Sequence, residues 1–188
     1  MKATEGFLVV LKALESHHRL KNKKYQGIDR VPSYRFKNQE PIQEEAETMD
    51  RYILGEIRNE LGLIESYDTA LELHAQFAKS PRKFEIIWCR SVPEGRANET
   101  QETISDLLGK FIGFDVAGLD ADYWSIVGDF PDDKRVASDF AKLNKSGLFD
   151  SANDAVEYLN KYRSFMLPDH DSPFRIVEVH KCKGVGSS

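Results

Sequence analysis

The sequence predicts an α+β domain: a mostly antiparallel sheet with helices packed on it, and a helix-rich N-terminal half. Three observations carry this. Apolar strand-like runs stand at 84–90, 111–116, 123–127 and 174–182, bounded by Gly, Pro and Asp. Segments of helical period lie between them without strict alternation of strand and helix. The chain has 188 residues, of which 40% are hydrophobic and 30% charged, enough for one core of its own. Residues 1–183 are taken as a single domain and 184–188 as a flexible tail.

Residues 4–20 are ambiguous. Phe7, Leu8, Leu11 and Leu14 have helical spacing, while Phe7 to Leu11 is also an unbroken strand-like run. Residues 21–38 hold the turn formers Asn22, Gly27, Asp29, Pro32 and Ser33 and read as an irregular connection. After Pro41, Ile42, Ala46, Met49, Ile53, Ile57 and Leu61 share one helical face, with Glu44, Glu45 and Glu47 early and Gly62 at the end. A second helix begins near Ser66 or Asp68 and carries Ala70, Leu73 and Phe77, before Pro81 breaks the chain.

Phe84 to Cys89 is a strand centred on Ile86, Ile87 and Trp88. Thr100 to Leu108 reads as a short helix. Phe111 to Val116 is a strand whose Gly113 marks a bulge or a close backbone approach. Tyr123 to Val127 is a further short strand. Asp132 to Leu143 reads as a helix, with Val136, Phe140 and Leu143 on one face. Ser151 is suited to cap a last helix from Ala152 to Phe165. Phe174 to Cys182 is the last strand.

Charge is spread unevenly. The whole chain carries −5, residues 1–37 carry +6, and residues 98–133 carry −8, tempered only by Lys110. The acidic block disfavours nucleic acid, whose phosphates it repels, and suits a basic protein or a cation. Arg19, Lys21, Lys23 and Lys24 give the N-terminal region its charge, without the aromatic interleaving of a nucleic-acid platform. The run Phe7 to Leu11 is too short for a membrane span or a leader. Cys89 and Cys182 have no C-x-x-C spacing and read as buried free thiols, hence a reducing, cytoplasmic compartment.

Candidate chemistry is sparse. Asp120, Asp122, Asp129, Asp132 and Asp133 could gather oxygens around Ca²⁺ or Mg²⁺, but an EF-hand loop started at Asp120 fails at Trp124 and Ser125. No metal and no cofactor is therefore expected, and folding should need no divalent ion. Ser125 lacks the glycines of a nucleophile elbow, and no phosphate-binding glycine loop occurs. His74 reads as a partly exposed helix residue.

Asp169 and the strand-borne Glu178, His180 and Lys181 faintly resemble the restriction-type nuclease motif. In that motif an Asp and a Glu bind Mg²⁺ and a Lys activates water. The period of two puts Glu178 and His180 on one face, but Lys181 on the other, where the family's Lys would have to stand at the position of His180. A metal-dependent nuclease or hydrolase using Asp169, Glu178 and His180 is thus one alternative. As structural residues, Glu178 and His180 would instead face solvent and Lys181 would be a surface charge.

The stretch from Trp88-Cys89-Arg90 through Phe111-Ile112-Gly113-Phe114-Asp115-Val116 to Tyr123-Trp124-Ser125-Ile126 is similar to small bacterial cytoplasmic immunity proteins of polymorphic and contact-dependent toxin systems. The resemblance implies a non-enzymatic protein that occludes a toxin domain. It carries over no catalytic residue.

Composition supports a binding role independently. Asp115, Asp120, Asp122, Asp129, Asp132 and Asp133 interleave with Phe114, Tyr123, Trp124 and Phe130, as on a face that covers a basic cleft. The expected partner-binding residues are Asp115, Asp120, Asp122, Tyr123, Trp124, Asp129, Asp132 and Asp133. The competing reading makes the aromatics core. A regulatory protein of a phage or mobile element is a further alternative.

Overall fold

A computed structural model describes residues 5–12, 28–30, 62–76, 84–92, 109–120, 122–127, 134–135, 138–166 and 174–183. Among these residues six strands form one sheet: β1 (Glu5–Lys12), β2 (Ile28–Arg30), β3 (Phe84–Val92), β4 (Lys110–Asp120), β5 (Asp122–Ser125) and β6 (Phe174–Lys181). Their order is β2-β1-β3-β6-β4-β5, and every pairing is antiparallel. The helices are α1 (Tyr67–Gln76) and α2 (Ala152–Met166), with a 3-10 turn at Asp139–Lys142.

The α+β class and the antiparallel sheet agree with the sequence reading; the described residues do not support the helix-rich N-terminal half. The ambiguous run at Phe7–Leu11 is strand β1, because seven consecutive residues pair with β3. β2 emerges from the segment read as an irregular connection. The helices expected at 42–61 and 100–108, and the tail at 184–188, lie outside the described residues.

Both described helices start where capping chemistry places them. Ser66 Oγ accepts from the Thr69 N–H at 3.4 Å, and Ser151 Oγ accepts from the Asn153 N–H at 3.2 Å. Asp68 and Asp154 lie in first turns, and His74 and Arg163 in last turns, as the helix dipole favours.

Both helices pack on the same sheet face. Ala70 and Leu73 of α1 meet Val9, Ile86 and Trp88, whereas Ala155, Tyr158, Leu159 and Tyr162 of α2 meet Val116, Phe174 and Ile176. The Tyr158 hydroxyl donates to the Ile126 carbonyl at 3.0 Å, so the buried phenol keeps a partner. The opposite face buries Leu8, Ile87, Cys89, Ala117, Val177 and Val179 with Leu63 and Leu148.

Among the described residues of 132–143 the expected α-helix is absent. Lys134, Arg135 and Ser138 are in turns, a single 3-10 turn follows, and Leu143 is extended, bridging Phe149. The reason is the side chain of Asp139. It is wholly buried and takes Lys161 Nζ of α2 on both oxygens, at 2.9 and 2.8 Å, so tertiary pairing overrides local propensity.

Gly113 marks a bulge, as its place in the strand suggests: the β4–β6 register shifts between Phe111 and Gly113. Its φ is +143°, and an added Cβ would meet Leu148 Cβ at 2.6 Å and the Phe149 carbonyl oxygen at 2.9 Å.

Cys89 and Cys182 are free and buried. Burial pushes both thiols up, Cys182 to about 11 and Cys89 well above the ordinary thiol range, with the Asp115 charge adding to the rise at Cys89. Thiol-reactive probes should therefore label the native protein slowly and label it fast in denaturant. Rapid native labelling of Cys89 would contradict this burial.

Candidate functional site

The acidic-aromatic stretch is built on the β4–β5 hairpin at one end of the sheet. The register pairs Ala117 with Ser125, Gly118 with Trp124, Leu119 with Tyr123 and Asp120 with Asp122. Asp120 and Asp122 are thus opposed at the closed end, with Tyr123 and Trp124 next along the outermost strand. The base of the hairpin is fixed from inside. Ser125 Oγ donates to Asp115 Oδ1 at 2.6 Å and accepts from the Val127 N–H at 3.2 Å, and the Val116 N–H donates to the same Asp115 oxygen at 2.8 Å.

Asp115 therefore departs from its expected role. It is 4% exposed, on the face opposite the helices, and it organises the chain rather than presenting charge. Phe114 is half-buried against Phe111, 5.1 Å between ring centroids, and packs beside the α2 core. Asp129, Phe130, Asp132 and Asp133 lie outside the described residues.

A second constellation sits between the two helical clusters. Glu178 of β6 faces Arg90 of β3 in register, and its Oε2 accepts from Arg90 Nη2 at 2.8 Å. Its Oε1 holds His180 Nε2, two residues along the same strand face. The His180 ring lies between the edges of Trp88 and Phe111, each 5.4 Å away by centroid, and the Arg90 guanidinium stands 5.6 Å over the Trp88 ring.

Glu178 and His180 do share a face, as the strand period requires, but that face is buried and not solvated. Glu178 is 2% and His180 4% exposed. Lys181 points the other way and pairs with Glu85 at 2.6 Å. Burial raises the Glu178 carboxyl, but the hydrogen bonds from His180 and Arg90 prevail and hold it below the ordinary range.

Arg90 is the member that sequence reasoning missed. A signal was present: it is a lone cation in the apolar run of β3, as Glu178 is a lone anion in that of β6, and two such residues are natural cross-strand partners. Asp169 lies outside the described residues, and among those described no group of three or more His, Cys, Asp or Glu could hold a metal. No helix among them is long and apolar enough to cross a membrane. No family model, curated protein or solved structure matches the chain.

Proposed function

We propose that the chain is a non-enzymatic binding module that engages a basic protein surface through the β4–β5 hairpin, and that it acts as a cytoplasmic immunity protein occluding a toxin domain. The observation that carries this reading is the position of the hairpin. It closes one end of the sheet, sets Asp120 opposite Asp122 at its turn, and continues into Tyr123 and Trp124 within a stretch of net charge −8. Such a face steers a basic partner by charge and holds it by aromatic burial. The hydrolase reading is weaker, because both oxygens of Glu178 are already taken by Arg90 and His180.

This reading expects a toxin gene immediately upstream, and the test is association with the toxin domain that such a gene would encode. Replacing Asp120, Asp122, Asp132 and Asp133 together with Asn should slow association and flatten its dependence on salt, with the melting curve unchanged. An association rate and salt slope equal to those of the parent protein would end this reading, as would an upstream gene that encodes no toxin.

A further inference from the structure

The partner can be specified further on the basis of that reading, from the main chain of the hairpin. In an antiparallel ladder, successive residues aim their N–H and C=O groups alternately to the two sides. The Ile126 N–H donates to the Val116 carbonyl at 2.9 Å, and Phe114 exchanges both of its main-chain bonds with Phe149, at 2.7 and 2.9 Å. Positions 114, 116, 118 and 120 of β4 therefore use their outer side, and Asp122, Trp124 and Ile126 answer them. Tyr123 and Ser125, one step out of phase, aim their main-chain groups away from β4. Among the described residues no strand lies beyond β5.

We propose that a basic, extended segment of the partner adds to β5 as a further strand. Its main chain bonds Tyr123 and Ser125, and its Lys or Arg residues fall near the register positions of Asp120 and Asp122 at the hairpin turn. Charge selects this occupant. Asp120 and Asp122 stand opposed in register at the turn of this hairpin, within a sequence stretch of net charge −8, so a second copy of the same acidic edge is repelled while a cationic strand is drawn in. The edge is preformed as well, because the Asp115–Ser125–Val127 hydrogen bonds fix its base before any partner arrives.

The experiment is amide hydrogen exchange on the full chain with a blocked, alternating Lys-Val octapeptide at low salt. Exchange at the Tyr123 and Ser125 amides should slow by roughly tenfold or more, while Trp124, already paired with β4, should not change. The matching Glu-Val peptide should protect neither. Failure of the Lys-Val peptide to bind, or binding without protection at Tyr123 and Ser125, would overturn strand addition. The acidic-face reading would still stand if the Asp→Asn variant slows toxin association. Protection that grows with protein concentration alone would make a second copy the occupant and also overturn the proposal.

Discussion

Replacing Glu178 with Ala should cost about 3–5 kcal/mol, because it strands a partner cation and a histidine in a buried setting. Arg90 would lose its 2.8 Å ion pair, and His180, 4% exposed, would lose the acceptor of its Nε2 proton. For a domain of this size the melting temperature should fall by roughly 10 °C. Arg90→Met combined with Glu178→Leu should recover much of the loss, since an apolar pair of similar volume removes the desolvation that the ion pair had to offset. His180 would remain short of an acceptor, so recovery should be incomplete.

The same carboxylate sets part of the acid response. Its folded-state pKa is depressed, so in acid the unfolded chain takes up this proton more readily than the folded one. The stabilisation is complete above the ordinary carboxyl value of about 4.3 and is lost as pH falls through the lower folded value. Glu178→Gln should shrink this fall in stability below about pH 4.3. An acid limb identical to that of the parent protein would show that the pair does not govern it.

Gly109→Ala is expected to be comparably damaging. Gly109 has φ +64°, which disfavours any Cβ, and an added Cβ would overlap the Lys181 carbonyl oxygen and stand 2.7 Å from its carbonyl carbon. These are backbone atoms at the end of β6, so no rotamer change relieves the clash, and β4 and β6 would have to part where they first pair. Conformational strain and overpacking together should cost about 2–5 kcal/mol. Lys110→Ala, one residue on and exposed, should stay within about 0.5 kcal/mol of the parent protein. Equal melting temperatures for the two variants would contradict the close approach.

Strands β3, β4, β5 and β6 were legible because each is an apolar run cut by Gly, Pro or Asp, and α1 and α2 because Ser66 and Ser151 cap them. β1 was ambiguous because five consecutive apolar residues fit either period, and only pairing with β3 decides between them. The burial of Glu178 was hidden for a related reason. Glu178 and His180 alternate with Val177 and Val179, a pattern that looks solvated until the partner is known, and Arg90 stands 88 residues earlier. Asp115 misled in the same way: composition counts its charge but not the Ser125 hydroxyl and Val116 amide that turn it inward.

The central claim is that the β4–β5 hairpin holds a partner. It is tested most directly by the dissociation rate of the toxin complex for Trp124→Ala and Tyr123→Ala, each read beside its melting curve. At least one of the two should release the partner faster, by about 2 kcal/mol or more, roughly thirtyfold, with its melting temperature unchanged. If both variants melt early and the Asp→Asn variant associates like the parent protein, the aromatics are core, the acids are ordinary surface, and the hairpin is not the binding face.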